Sequence, residues 1–147
     1  MASRSNNVIK KLGLDGQFFL NFELIAATAQ TPIELITDAE VKSNRAIYLH
    51  GYQFRNGTNA WGTAAAAIKV TTNDEAVEIL NIDSTQITSQ RRCLNGIYQG
   101  GTVAAIAFDG LFLAGLQGQG MKIAADENEP TGSNIQFAIW GRFVEVV

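Results

Sequence analysis

The sequence predicts an all-β protein, an antiparallel β-sandwich, on three observations. Apolar side chains recur at every second position in 17–24 and again in 135–145. The apolar runs are short and broken by Gly, Asn and Asp turn residues. No stretch carries the 3.6-residue period of a long helix. A chain of 147 residues suits one domain whose core needs no cross-links, and its 46% hydrophobic and 17% charged content is globular.

Residues 1–15 lack periodicity, and Arg4, Lys10 and Lys11 precede any acid. They read as an extended N-terminal arm outside the core, either frayed or functional, with the sandwich domain at 16–147. "GQFFLNFELI" sets Phe18, Leu20, Phe22 and Leu24 against Gln17, Asn21 and Glu23, a half-buried strand. In "TPIELITDAE", Thr31-Pro32-x-Glu34 could open a helix with a capping box, but the apolar residues are few and largely β-branched. An extended segment is expected there. "RAIYLHGYQF" alternates, setting Ile47 and Leu49 against Tyr48, His50, Tyr52 and Phe54, and Asn56-Gly57-Thr58 then turns the chain.

"AAAAIKV" comes after Gly62 and ends in the β-branched Ile68, Val70, Thr71 and Thr72, so it reads as a strand. "AVEILNI" reads as a short strand buried on both faces. "TVAAIAFDGLFLAGL" reads as a hairpin around Asp109-Gly110. In "LAGLQGQG" the spacing of Gly115, Gly118 and Gly120 reverses the dinucleotide fingerprint. Immediately after Gly120, Met121, Ile123 and Ala125 alternate with Lys122, Ala124 and Asp126, which is a strand. Without a helix N-terminus there is no phosphate cradle, and the glycines are turn residues. "NIQFAIWGRFVEV" puts Ile135, Phe137, Ile139, Gly141 and Phe143 on one face and Gln136, Ala138, Trp140, Arg142 and Val144 on the other. The expected core contains Phe18, Leu20, Phe22, Leu24, Ile135, Phe137 and Ile139.

Chemistry is sparse. The formal net charge of −3 excludes a global field that would draw nucleic acid or an acidic membrane, and no aromatic-basic stripe appears. The start has no apolar signal-peptide core and no uncharged run spans a bilayer, so synthesis in the cytoplasm is expected. His50 stands alone as a histidine, too few for a zinc site or the metal-binding pattern of a cupin. Flanked by tyrosines, it reads as an interface or packing residue rather than a base. Cys93 stands alone too; Arg91 and Arg92 could lower its pKa, though a packed thiol is favoured. Asp126, Glu127 and Glu129 could hold a hard cation, and a solvated acidic turn is favoured over that. A glycosidase pair of acids has no sequence signature to find. No catalytic residue, cofactor or metal is expected.

Two stretches resemble small virion proteins of tailed bacteriophages. "NGTNAWG" before "AAIKV" resembles their Asn-Gly-x-x-x-Trp turn. "LAGLQGQGMKIAADENEPTGSNIQFAIWGRF" resembles their C-terminal signature, with Gly115, Gly118, Gly120, Gly132-Ser133 and Trp140-Gly141 in place. The resemblance spans roughly 16–147 in strand order and is residue-specific only in these stretches. It implies a jelly-roll-like sandwich that decorates the capsid surface of the virion as a homotrimer, with the major capsid protein as partner. The basic arm and "RRCLNG" depart from the pattern.

Two classes of function are thereby set against each other. A capsid decoration (cement) protein would bind its shell through Arg4, Val8, Ile9, Lys10, Lys11 and Leu12, and bury Tyr48, His50, Tyr52 and Trp140 between subunits. A receptor- or carbohydrate-binding tail-tip module would expose an aromatic among amides, for which Trp61 beside Asn56, Thr58 and Asn59 is the candidate. The first reading is favoured, and an enzyme is not expected.

Overall fold

The computed structural model describes residues 8–13, 15–62, 67–99, 110–113 and 115–146. Its strands in chain order are β1 (Ile9–Leu12), β2 (Gln17–Leu24), β3 (Ile33–Ile36), β4 (Arg45–Asn56), β5 (Ala67–Thr72) and β6 (Glu78–Asp83). They continue as β7 (Arg92–Leu94), β8 (Ile97–Gln99), β9 (Leu111–Phe112), β10 (Met121–Ala125) and β11 (Ile135–Glu145), with a short helical turn, α1 (Asp38–Val41), and 3-10 turns at Ala26–Thr28 and Ser84–Gln86. The chain is an all-β sandwich of two antiparallel sheets. The seven-stranded sheet runs β1-β2-β11-β4-β7-β8, with β9 also on β4; the four-stranded sheet runs β3-β10-β5-β6. Successive strands change sheet at β2/β3, β3/β4, β4/β5, β6/β7, β9/β10 and β10/β11.

The core lies between the sheets and obeys the two-residue period. Phe18, Leu20, Phe22 and Leu24 point inward from β2 and meet Ile135, Phe137 and Ile139 of β11, all at most 3% exposed. Met121 and Ile123 of β10 and Ile68 and Val70 of β5 close the core from the four-stranded sheet. Removing such side chains from water supplies the driving force, at roughly 25 cal/mol per Å² of apolar surface. The ring of Phe137 stacks on Phe22, with centroids 5.3 Å apart.

Four expectations change. First, β4 does not keep one phase. Trp140 of β11 pairs with Gly51 and the next residue, Gly141, pairs with Leu49, so His50 is an extra residue in β4. This β-bulge reverses the alternation. Ile47 and Leu49 face inward below it, Tyr52 and Phe54 face inward above it, and only Tyr48 and His50 stay on the outer side. Second, among the described residues β6 pairs only with β5, and Glu78, Asn81 and Asp83 are exposed, so it is not buried on both faces. Third, 33–36 is extended as expected, but the capping box sits six residues beyond the position considered. Thr37 and Glu40 exchange the reciprocal bonds at the start of α1. Fourth, Ile9–Leu12 of the expected arm pairs with Phe18–Asn21 as an edge strand, and Val8 packs on the core.

The glycines of "LAGLQGQG" are turn residues that lead into β10. Gly118 has φ +74, and a Cβ at Gly120 would collide with the Ile36 carbonyl oxygen. No other residue fits that approach. Most of the hairpin expected around Asp109-Gly110 lies outside the described residues; Leu111 and Phe112 pair with Leu49 and Tyr48.

Candidate functional site

The bulge at His50 builds the one surface that groups aromatic, amide and cationic side chains among the described residues. Gly51 has no side chain, and the Trp140 indole lies over it: a Cβ added there would be 2.6 Å from Trp140 Cζ2. Trp140 stacks beside Phe19 of the neighbouring strand at 6.4 Å. Tyr48 stacks on His50 at 4.6 Å, with the Arg142 guanidinium over the Tyr48 ring. These groups all lie on the outer face of the seven-stranded sheet.

That face is hollowed. A cleft of about 810 Å³ is lined by Lys11, Gln17, Phe19, His50, Gln53 and Trp140. A second, of about 440 Å³, shares Phe19 and Gln53 and continues to Asn21, Arg55, Arg92 and Gln99. Together they form one trough across the strands. The amides of Gln17, Asn21, Gln53 and Gln99 make no side-chain hydrogen bond to any described residue, while Gln136 donates to Glu23 at 2.7 Å.

The charges are divided between the faces. Lys11, Arg55, Arg92 and Arg142 lie on the trough face, where Glu23 is the one carboxylate among the described strand residues. The lysines of the four-stranded sheet are instead neutralised locally. Lys69 reaches Asp126 at 3.2 Å and Lys122 reaches Glu75 at 2.9 Å.

The residues singled out from sequence separate into several places. Arg4 lies outside the described residues. Val8 is half-buried, Ile9 and Leu12 are 60% and 49% exposed, and Lys11 borders the trough. Lys10 is not without an acid, since its ammonium meets Glu40 at 2.7 Å. Tyr48 and Trp140 are half-buried and His50 exposed on the outer face, but Tyr52 belongs to the core. Burial pushes its phenol pKa well up, so it stays neutral.

Trp61 is not an exposed platform. It is 4% exposed, and its Nε1 donates to the Ser133 carbonyl at 2.9 Å. Asn59 N donates to Ser133 Oγ, and Asn56 Nδ2 donates to the carbonyls of Asn59 and Thr88. A Cβ at Gly132 would strike Trp61 Cδ1 at 2.8 Å. "NGTNAWG" and "TGSN", far apart in sequence, are therefore two halves of one corner of the sandwich.

Cys93 is buried, and burial pushes its thiol pKa up despite the nearby Arg91; the packed reading holds. Arg91 is itself buried with its guanidinium over Tyr98, whereas Arg92 faces the trough. In the acidic loop Asp126 pairs with Lys69, and buried Glu129 accepts from Gly62 N at 3.2 Å. Among the described residues no three His, Cys, Asp or Glu side chains are placed to share a metal ion, and no helix is long and apolar enough to cross a membrane.

Sequence pattern did not mark Phe19, Asn21, Gln53, Arg55 and Arg92 as members of one surface. Phe19 was the available signal: a large aromatic in the polar phase of 17–24. The grouping itself depends on the β4 bulge, which no local pattern announces. No protein-family model, no curated protein and no solved structure matches the chain.

Proposed function

We propose that this chain is a structural virion protein, a capsid decoration or cement protein of a tailed bacteriophage. In this reading it binds the outer capsid surface as a homotrimer, reinforces the shell formed by the major capsid protein, and carries no reaction. The observation that carries the reading is the placement of exposed apolar side chains at both margins of the seven-stranded sheet. Ile9 and Leu12 project from β1 at one margin, and Leu94 and Ile97, 44% and 55% exposed, from the β7–β8 hairpin at the other. A free monomer gains nothing by exposing such groups, and subunits or a shell would cover them. The two margins are different surfaces, so contact between them is head-to-tail, the mode that closes rings.

Two further features support the reading. The strand order, β2-β11-β4-β7 facing β3-β10-β5-β6 with connections that alternate between sheets, agrees with a jelly-roll-like topology. The two stretches that carry the phage resemblance also join at the Trp61–Ser133 corner. The shell-facing segment would be Arg4 and Val8–Leu12.

Sedimentation and co-sedimentation with undecorated capsids test this together. A trimer that binds capsids is expected, with Ile9→Asp and Ile97→Asp each dispersing it. A stable monomer at micromolar concentration, or capsid binding unaffected by removal of residues 1–12, overturns the assembly as described.

A further inference from the structure

The geometry points to a binding site for an acidic saccharide chain in the trough across the outer face of the seven-stranded sheet. This rests on observations separate from those of the virion reading, although the two surfaces meet: Lys11 and Leu94, at the margins that reading uses, also border the trough.

Three properties select that ligand. The first is an aromatic floor. Trp140 and Phe19 stand side by side, and the missing side chain of Gly51 lets the indole settle over the sheet backbone. The C–H face of a pyranose ring is apolar and weakly positive, and it packs on an aromatic π face.

The second is the set of unengaged amides. Gln17, Asn21, Gln53 and Gln99 each offer a donor and an acceptor at the trough and share them with no described residue. A sugar hydroxyl is likewise both donor and acceptor, so each amide can meet it either way. An apolar protein partner would leave these amides desolvated without bonds. An extended peptide adding to the sheet needs an open strand edge, and β2, β11 and β4 beneath the trough are paired on both sides.

The third property is charge. Lys11 borders the larger cleft, and Arg55 and Arg92 the smaller, with no ion pair to a described acid. Glu23, the one carboxylate of the described strand residues on this face, is engaged by Gln136. A planar guanidinium fits a carboxylate with two parallel hydrogen bonds, so a uronic or sialic acid unit satisfies Arg55 or Arg92 where a neutral sugar does not.

The full-length chain can be tested by NMR with an oligogalacturonate, a hyaluronan oligosaccharide and sialyllactose, each beside a neutral galacto-oligosaccharide. The indole N–H of Trp140 should shift on titration while that of buried Trp61 stays fixed. Affinity should fall as salt rises. It should also drop about tenfold or more in Trp140→Leu, in Arg92→Gln and in Gly51→Ala, whose added carbon would crowd the indole and the neighbouring Asn95 Oδ1 alike. A cooperative melt of each variant shows that the sandwich is intact.

Absence of a Trp140 shift with all three acidic probes overturns the proposal, as does a shift that the variants leave unchanged. Equal binding of the neutral sugar overturns the acidic class. A Trp140 signal already shielded in the free protein and released on dilution overturns it too, and assigns the trough to a second copy of the chain.

Discussion

Lys10 Nζ lies 2.7 Å from Glu40 Oε1, and this contact ties the first strand to the cap of α1. The same carboxylate oxygen accepts from Thr37 N at 2.9 Å. Partial burial alone would raise the pKa of Glu40, but the bonds from Lys10 and Thr37 outweigh it and hold the carboxyl below its ordinary 4.5.

A depressed carboxyl in the folded state stabilises above its unfolded pKa and loses that contribution as pH falls from 4.5 through the lower folded value. Glu40→Gln keeps a side chain able to complete the capping box but removes the ion pair. Because the pair is partly solvated, the cost near neutral pH should be about 0.5–1 kcal/mol. Urea unfolding at a series of pH values should show a shallower acid limb in the variant. Identical limbs would exclude this pair as a source of the acid dependence.

Phe137→Ala should cost about 3–5 kcal/mol in chemical unfolding, since it leaves a void at the centre of the larger sheet. The ring is 2% exposed and lies between Phe22 and Phe54. A loss below about 1 kcal/mol would contradict the burial of this face.

The three glycines of "LAGLQGQG" should respond differently to alanine. At Gly115 a Cβ meets nothing within 4 Å, so the change should be neutral or stabilise by up to about 1 kcal/mol. Gly118, at φ +74, should lose about 1–2 kcal/mol. Gly120 should lose most, because the added carbon would run into a backbone oxygen that cannot step aside. Thermal melts of the three variants check the ranking, and equal effects would refute the close approach at Gly120.

Cys93 should react with a thiol reagent only as the protein unfolds. Its side chain is 2% exposed and burial raises the thiol pKa, so both access and thiolate fraction are low. Stoichiometric labelling of the native protein within seconds would show that β7 opens locally.

Legibility in the sequence tracks the physics of each element. β2 and β11 are readable because one face is dry and the other wet, which writes the two-residue period directly into the residues. The hairpin at Asn95-Gly96 is equally readable, since both residues take positive φ between Leu94 and Ile97, yet Asp109-Gly110 drew the expectation instead. Edge strands are poorly legible: β1 alternates weakly, and pairing with Phe18–Asn21, not local pattern, fixes it. Trp61 misleads because its neighbours are amides, which bond a distant loop and the turn itself. The trough is hidden for a different reason. Its residues come from several strands, and the grouping shows only once β4 absorbs His50 as a bulge instead of running one alternation through it.

That insertion gives β4 something like a reading frame. Arg45–Leu49 and Gly51–Asn56 are each in phase with the core, and His50 is the spacer between them. Substitution at His50 should be tolerated, since its side chain is exposed. Deletion should also be tolerated by the core: Leu49 and Gly51 would become neighbours opposite Gly141 and Trp140, so the bulge disappears while both half-strands keep their register with β11 and their inward faces. What the extra residue adds is local: it bends β4 and stacks His50 on Tyr48 at the cleft, so its loss should alter the outer face and spare the core.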